Sequence, residues 1–355
     1  MVAVPSPAMP EKVRLLPPGP SNPRNSEGSF VKLADGRLLL VYSRFYGGAS
    51  DDSPSLLAGR YSSDLGRTWT EDTTVIENVG LNTMSVSLLR LQRGQIAMFY
   101  LLRRRTEGEQ QCLDVLMRVS ADEAVTWSEP VLCSGAPSYY VVNNDRVIQL
   151  RSGRLIVPAA DHGHFDGRNI GIGRAKCFLS DDGGKTWRTS TQVAMPVGQE
   201  DEHLQEPGLI ELRDGRIMML CRTVLGSQYR SYSADGGESW TTATPTELLS
   251  PCSPASLKRL PATGDLLLVY NDHRGIPDHL QGKRTPLVTA ISRDEGQTWE
   301  HRRVLEDDPD GWYCYTAIHA EQDVVVLGYC AGNSQLGGLN LLQVTRVPVS
   351  WLYGG

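Results

Sequence analysis

Residues 62–69 read Ser-Ser-Asp-Leu-Gly-Arg-Thr-Trp, and the chain writes nearly the same eight residues four more times. Each copy has Ser first, Asp two residues later, Thr or Ser six residues later and Trp seven residues later. The copies begin at Ser62, Ser120, Ser180, Ser233 and Ser292, so consecutive copies are 53 to 60 residues apart. A period of this length indicates a repeated supersecondary unit. We therefore predict one domain over residues 1–355, with residues 1–20 as an extended N-terminal segment.

A second phrase precedes each of these boxes: an apolar stretch interrupted by a glycine turn. Leu33-Ala-Asp-Gly36-Arg-Leu-Leu is the first copy, and the later turns centre on Gly94, Gly153, Gly215 and Gly264. A glycine between apolar residues is typical of a β-hairpin, because glycine accepts the positive φ of a tight turn. A sixth strand pair is readable at 315–320 and 324–329. Each unit therefore reads as four short antiparallel strands.

Six such units predict an all-β fold, a six-bladed β-propeller of four-stranded antiparallel blades. The 355 residues divided among six units give about 59 each, close to the spacing of the boxes. We expect the sixth unit to take a strand from the N-terminal segment and so close the ring. In the boxes, the short Asp, Ser and Thr side chains can bond turn backbone groups, and the Trp is expected to bury against the next unit.

Bulk composition limits the classes of partner. Hydrophobic residues make up 40% of the chain, charged residues 21%, and the net charge is −6, which argues against nucleic acid and anionic membrane surfaces. The seven cysteines lie singly, and histidines 162, 164 and 203 show no repeated ligand spacing, so we predict neither a metal nor a cofactor. Residues 1–20 contain no apolar stretch of signal-peptide type. The chain as given is expected in the cytoplasm, or outside it if a leader has been removed.

Repeated Ser-x-Asp-x-Gly-x-Thr-Trp boxes at this period resemble those of the sialidase (neuraminidase) superfamily, over about Ser29 to Tyr329. The second copy departs from the pattern, with Ala124 in place of Gly. The resemblance implies an exo-acting, retaining glycoside hydrolase that releases terminal sialic acid or a related acidic sugar from a glycan. The box is not specific for activity, so function must be argued from the strands that line the channel.

The innermost strand of each propeller unit lines the central channel. Counting back about nine residues from each hairpin glycine finds Glu27, Ser85, Asn144 and Glu206, and the same alignment finds Tyr315 in the sixth unit. We therefore expect residues from distant units to converge at the channel.

Two segments resemble the family's catalytic strands. Glu206, before the fourth hairpin, resembles the Glu that activates the nucleophile, and Arg222 resembles an Arg that binds the substrate carboxylate. Tyr315 resembles the nucleophile, although Tyr313, two residues away, is an alternative. Arg284 is placed like a second carboxylate-binding Arg. A phenol suits this role because sialic acid carries a carboxylate at its anomeric carbon, which would repel a carboxylate nucleophile.

The first unit supplies the remaining candidates. Asp51 or Asp52, in the loop after its second strand, is the expected general acid. The family's first-unit Arg has no counterpart, since Glu27 occupies that region. Three arginines could substitute as carboxylate ligands: Arg24, Arg44 and Arg146.

Two other functions remain open at this point. If no arginine replaces the missing one, Glu27 and Glu206 become a candidate pair of acid and nucleophile, or of acid and base, for a different sugar. A carbohydrate-binding propeller without turnover is the alternative outside enzymes. The sequence leaves the oligomeric state open.

Overall fold

Six antiparallel sheets build the protein, and each is formed by one stretch of consecutive strands except where the two chain ends meet. The computed structural model describes residues 8–108, 110–163 and 171–354. Contacts between the first strands of successive sheets place those strands innermost in a ring. The predicted all-β, six-bladed propeller is confirmed.

The strands of each blade are given from the inside outwards. Blade one contains Arg24–Lys32, Leu38–Phe45, Ser55–Ser62 and Thr73–Ile76, and blade two contains Asn82–Arg90, Ile96–Arg105, Gln111–Ser120 and Val131–Leu132. Blade three has a divided inner strand, Tyr140–Val141 and Ile148–Gln149, followed by Leu155–Asp161, Arg174–Ser180 and Arg188–Thr189.

Blades four to six continue in the same way. Blade four contains Gln205–Glu211, Ile217–Arg222, Ser227–Ser233 and Thr244–Leu249, and blade five contains Ser256–Arg259, Leu266–Asn271, Leu287–Ser292 and Glu300–Glu306. Blade six contains Trp312–Ala320, Val324–Gly332, Leu342–Pro348 and Glu11–Leu16. The helical elements of the described residues are the 3-10 turn Asp278–Leu280 and the α-helix Val349–Leu352. Neither of these is long and apolar enough to cross a bilayer.

The ring closes through the N-terminal strand. Glu11–Leu16 pairs antiparallel with Leu342–Pro348, with Val13 opposite Val344. The side chain of Arg346 donates to Glu11 Oε2 over 2.6 Å and to the backbone oxygen of Leu65 over 2.8 Å, which ties blade six to the box of blade one. The prediction that the sixth unit takes a strand from the N-terminal segment is confirmed.

Six apolar clusters fill the gaps between neighbouring blades, and the box tryptophans belong to them. Trp187 of blade three meets Phe99 of blade two edge-on, with ring centroids 6.0 Å apart. Trp69 of blade one packs with Phe30 in the cluster shared with blade six. Each box tryptophan therefore packs towards the preceding blade, and the prediction that it packs on the next unit was wrong. In the cluster between blades five and six, Trp351 of the C-terminal helix is the buried tryptophan.

Hydrogen bonds hold each box as a rigid turn. Asp64 accepts from Ser62 Oγ, Thr68 Oγ1 and the backbone N–H groups of Arg67 and Thr68, over 2.7 to 3.0 Å. Burial pushes the pKa of Asp64 up, but these bonds outweigh burial and lower the pKa to about 2. In the second box, Ala124 adopts the left-handed conformation with φ of 67°, so the turn forms without the usual glycine.

Replacing Asp64 by Ala is expected to destabilise the protein by about 1 to 3 kcal/mol at pH 7, because a charged acceptor of several bonds is lost. The folded pKa lies below the unfolded value of about 3.9, so this contribution is present above pH 4 and disappears as the pH falls towards 2. The difference in melting temperature between wild type and Asp64→Ala should therefore shrink as the pH falls from about 4 towards 2. Asp201→Ala, in an exposed turn, is the matched control. A difference that stays constant with pH would contradict this assignment.

Candidate active site

The inner strands of four blades share a β-bulge near the channel. The strand register shifts between Ser26 and Ser29 in blade one, and the corresponding shifts occur in blades two, four and six. Within each bulge one residue has a positive φ: Glu27 (57°), Ser85 (56°), Glu206 (47°) and Tyr315 (57°). A bulge redirects a side chain. Left-handed backbone at residues other than glycine persists only where the surrounding structure imposes it. All four side chains line one cavity.

In blade three the equivalent positive φ falls on Asp145 (57°) rather than on Asn144. Asn144 Nδ2 donates to the backbone oxygens of Gly28 and Tyr315, over 2.6 and 3.0 Å. Asp145 accepts from Ser29 Oγ in blade one and from a backbone N–H in blade six. Asn144 and Asp145 of blade three thus fix the inner strands of blades one and six.

Tyr315 and Glu206 meet inside this cavity. Tyr315 Oη donates to Glu206 Oε1 over 3.0 Å, although 109 residues separate the two in sequence. Arg222 Nη1 donates to the other oxygen, Glu206 Oε2, over 2.6 Å. Only 8% of Tyr315 and 6% of Glu206 are exposed, so this contact lies in surroundings where charge interactions are strong.

The surroundings set opposite protonation states for this pair. Burial raises the pKa of Tyr315, and the charge of Glu206 raises it further. Burial also favours the neutral form of Glu206, but Arg222 and Arg284 outweigh it and lower the pKa of this carboxyl. The resting site therefore holds a neutral phenol that donates to an ionised carboxylate. This is the arrangement of a nucleophile with its base.

Tyr313 lies elsewhere, because the bulge interrupts strand alternation between Cys314 and Ala317. Its ring packs against Tyr329, with centroids 6.4 Å apart, in the apolar cluster between blades five and six. The sequence placed Tyr313 and Tyr315 on one face of a regular strand. The structure brings only Tyr315 into the cavity.

Two arginines flank the phenol. Arg284 lies over the ring of Tyr315 and over that of Trp312, at 5.3 and 5.2 Å from the ring centroids. Its Nη1 is buried without a hydrogen-bond partner, and no carboxylate of the described residues lies within 4 Å of its guanidinium. Arg222 Nε donates to Cys252 Sγ over 3.0 Å, which orients the guanidinium that bonds Glu206. A buried guanidinium with an unused donor is suited to bind a carboxylate.

Arg24 lies in the wall of blade one, 1% exposed and 4.3 Å from the ring centroid of Phe45. Its Nη1 donates to Asp51 Oδ1 over 2.5 Å, and its Nε donates to Ser26 Oγ over 2.9 Å. The remaining Nη2 is 3.6 Å from Glu27 Oε1, which is longer than a hydrogen bond. Arg24 therefore holds Asp51, itself a cavity-lining residue, and lies beside Glu27.

Asp52 has a different partner. Its carboxylate bonds Arg103, whose guanidinium also donates to the backbone oxygen of Asp51 and to Tyr139 Oη. Asp52 is not among the residues that line the cavity, whereas Asp51 is. The two neighbouring acids are therefore separated by their arginines, and only Asp51 faces the Tyr315–Glu206 pair.

Arg103 and Tyr139 were not predicted as site residues. They lie on the second strand of blade two and before the inner strand of blade three, where no motif marks them. The only sequence signal for Arg103 is the run of arginines 103–105. The cavity lining of the described residues is Glu27, Asp51, Met84, Ser85, Leu101, Arg103, Leu113, Tyr139, Val141, Asn143, Glu206 and Tyr315.

Two further predicted arginines bond residues outside this cavity. Arg44 pairs with Asp72 over 3.0 Å, towards the outer strand of blade one. Arg146 donates to the backbone oxygen of Ala255 and lines a second cavity, with Leu257 and Lys258, that shares no lining residue with the first. Neither arginine is among the residues that line the cavity of Tyr315 and Glu206.

The predicted histidine loops also lie outside the lining. His162 Nδ1 is 2.8 Å from the backbone oxygen of Gly171, and His203 Nδ1 accepts from the N–H of Gly173 over 3.0 Å. His164 falls outside the described residues. Within the described ranges, no group of His, Cys, Asp and Glu side chains is arranged to hold a metal ion.

Comparison with known proteins identifies the family of the chain. A family model described as a BNR repeat-like domain matches residues 61–329, about three quarters of the chain. The chain belongs to the BNR repeat-like family. This BNR repeat-like protein is 27% identical to a sialidase of Micromonospora viridifaciens, over 80% of the chain and 46% of the relative. It is 24% identical to a sialidase of Vibrio cholerae, over 57% of the chain and 27% of the relative. The chain thus spans less than half the length of these curated relatives.

Solved structures share the fold of this BNR repeat-like protein at low identity. A protein of unknown function from Dyadobacter fermentans has a TM-score of 0.75 and 20% identity, over 97% of this chain and all of that one. The NanB sialidase of Streptococcus pneumoniae has a TM-score of 0.71 and 15% identity, over 98% of this chain and 72% of that one. The resemblance to the sialidase superfamily is confirmed by these relatives together with the repeats and the propeller.

Proposed function

We propose that this protein is an exo-acting, retaining glycoside hydrolase that releases a terminal sialic acid or a related acidic sugar from a glycan. The observation that carries the proposal is the 3.0 Å hydrogen bond from Tyr315 to Glu206, in a cavity flanked by an arginine with an unused donor. A phenol beside an ionised carboxylate can attack an anomeric carbon that already bears a negative group, where a carboxylate nucleophile would be repelled.

The first step forms a bond from Tyr315 Oη to the anomeric carbon, and the phenolic proton passes to Glu206. The bond to the leaving oxygen breaks, and Asp51 supplies the proton that this oxygen needs. In the second step Asp51 accepts a proton from water, the water oxygen attacks the anomeric carbon, and Tyr315 recovers its proton from Glu206. Two displacements at one carbon retain its configuration.

The arginines link binding to the basicity of Glu206. In the resting site, Arg222 and Arg284 lower the pKa of Glu206. A substrate carboxylate that bonds these two guanidinium groups offsets part of their charge, so the pKa of Glu206 rises towards its ordinary value. Glu206 therefore becomes a stronger base when the acidic sugar is in place. Bidentate geometry also orients the anomeric carbon above the phenol.

The test is hydrolysis of an aryl sialoside, followed by nuclear magnetic resonance of the sugar as it is first released. Release with the same anomeric configuration as the substrate supports the proposal. Tight binding of the sugar without turnover would favour a carbohydrate-binding propeller instead. If aryl glycosides of another sugar were cleaved, with equal losses in Glu27→Gln and Glu206→Gln and none in Tyr315→Phe, the alternative glycosidase would be favoured.

Asp51→Asn is expected to lower kcat by about 10² or more for a sialoside with an alkyl leaving group, because that oxygen leaves only with a proton. The loss should be much smaller with 4-nitrophenol, which leaves without one. Asp52→Asn is the matched control. This substitution removes the same charge one residue away, from a carboxylate that pairs with Arg103. The assignment of Asp51 fails if Asp52→Asn shows the larger loss with the alkyl substrate.

A further inference from the structure

The charges around the cavity are unevenly matched. Three guanidinium groups in or beside the cavity bond a carboxylate of the described residues: Arg24 bonds Asp51, Arg103 bonds Asp52 and Arg222 bonds Glu206. Arg284 alone among these site arginines has no carboxylate of the described residues within 4 Å. An incoming carboxylate therefore finds one cation whose charge is not already matched. Any further negative charge on the cavity wall would oppose its binding.

Glu27 is such a group. It is 4% exposed and lies on the wall contributed by blade one, across the ring from Glu206 in blade four. Ser85 Oγ donates to Glu27 Oε2 over 3.0 Å. Its other oxygen, Oε1, receives no hydrogen bond from a described residue, since Arg24 Nη2 stops 3.6 Å away. One oxygen of Glu27 is thus left for a ligand in the cavity.

Burial raises the pKa of Glu27 to about 7. Arg24 lowers it, Asp51 raises it, the bond from Ser85 lowers it, and Glu206 raises it slightly. The two protonation states of this side chain are therefore close in free energy near neutral pH. In the protonated state, Oε1 becomes a donor, and in the ionised state it repels an anion.

We propose that Glu27 is a specificity-determining residue that carries a proton into the complex: protonated, it donates a hydrogen bond to the acidic sugar, and the pocket takes that sugar together with one proton. This inference rests on the proposed function, since it needs an anionic sugar in the cavity. It makes the first blade selective for acidic sugars through a carboxylic acid rather than through an arginine.

Four titratable groups around Glu27 have pKa values that are shifted away from the range between pH 6 and pH 8. On its own strand, Arg24 has a raised pKa, and across the cavity the pKa of Tyr315 is raised and that of Glu206 is lowered. Burial raises the pKa of Cys330, on the second strand of blade six. Asp51, whose Oδ1 accepts from Arg24, also lines the cavity.

Cys314 needs its own control. Burial favours its neutral thiol, but Cys330 and Arg284 outweigh burial and lower its pKa. Cys314→Ser removes that thiol from the titration and should leave the pH dependence of binding intact.

Titration calorimetry with 2,3-didehydro-2-deoxy-N-acetylneuraminic acid, in buffers of different ionisation enthalpy, measures affinity and proton uptake together. Wild type is expected to bind about tenfold more weakly at pH 8 than at pH 6, because Glu27 is then mostly ionised. Proton uptake at pH 8 should approach one per site. Glu27→Gln keeps a donor without a titration, so its affinity should be flat over this range with no uptake. Glu71→Gln, whose side chain is 97% exposed, removes the same charge elsewhere and should behave like wild type.

The calorimetry distinguishes failure of this inference from failure of the proposed function. Binding without proton uptake in wild type, at an affinity that does not change with pH, overturns this inference and leaves the proposed function standing. No binding by wild type or by Glu27→Gln at any pH overturns the proposed function and this inference with it. If Glu27→Gln does not fold, Ser85→Ala provides the test. Loss of the donor that favours ionised Glu27 should move the midpoint of the pH dependence upwards, and an unmoved midpoint contradicts the inference.

Discussion

Tyr315→Phe is expected to lower kcat/KM for an aryl sialoside by well over about a hundredfold, with little change in the affinity for a non-hydrolysable sugar. A positioned proton-transfer group alone contributes about 10² to 10⁴, and this change removes the nucleophile as well as the proton that it gives to Glu206. The ring of Phe still fills the space beneath Arg284, so binding should persist. The measurement is steady-state kinetics on both variants and wild type.

Tyr313→Phe is the matched control for this experiment. It removes the same hydroxyl two residues away, from a ring that packs in the cluster between blades five and six. We expect its kcat/KM to stay within a few-fold of wild type. A large loss in Tyr313→Phe with near-normal activity in Tyr315→Phe would contradict the proposed mechanism.

Glu206→Gln is expected to lower kcat by about 10² to 10⁴, because the amide cannot take the phenolic proton. The pH profile should change as well. In wild type, kcat/KM falls at acid pH as Glu206 of the free protein becomes protonated, and since its pKa is lowered there, that fall lies at low pH. The variant should lose this limb of the profile, which rate measurements between pH 3 and pH 7 would detect.

The amide oxygen of Gln can still accept from Arg222, so Glu206→Gln should fold, and its melting temperature checks this. Glu211→Gln is the matched control, since Glu211 ends the same strand and pairs with Arg151 instead. If Glu206→Gln kept the wild-type rate and the wild-type pH profile, Glu206 would not be the base.

Much of this architecture is readable from local sequence. The boxes and hairpin glycines are short-range features, since Gly36 or Asp64 bonds only residues a few positions away. Counting back from the glycines also finds Glu27 and Glu206, because the bulge residue lies the same distance before the hairpin glycine in blades one, two and four.

The remaining details depend on contacts between blades. The choice between Tyr313 and Tyr315 follows from a bulge, which breaks the alternation that a regular strand would show. The partners of Asp51 and Asp52 are arginines on different blades, and sequence spacing does not reveal those contacts. The direction in which Trp69 packs likewise depends on how neighbouring blades are stacked around the ring.

The position of Arg146 also depends on contacts between blades that the sequence does not reveal. Asn144, Asp145 and Arg146 are consecutive, yet Asn144 bonds backbone of blades one and six and Asp145 bonds blades one and six through its carboxylate. Arg146 then points to the backbone of Ala255 in blade five. A count along the chain reaches this triplet but does not show that its side chains bond the inner strands of other blades.

The central claim is that Tyr315 is a nucleophile brought to Glu206 by the closure of the ring. Incubation with a 2,3-difluorinated sialic acid slows the second displacement, so the covalent sugar–enzyme intermediate should accumulate and can be located by mass spectrometry of peptides. We expect one added sugar, attached to the oxygen of Tyr315, and none in Tyr315→Phe. A sugar attached to Glu27, Glu206 or Tyr313 would contradict the claim, as would turnover of the reagent by Tyr315→Phe at the wild-type rate.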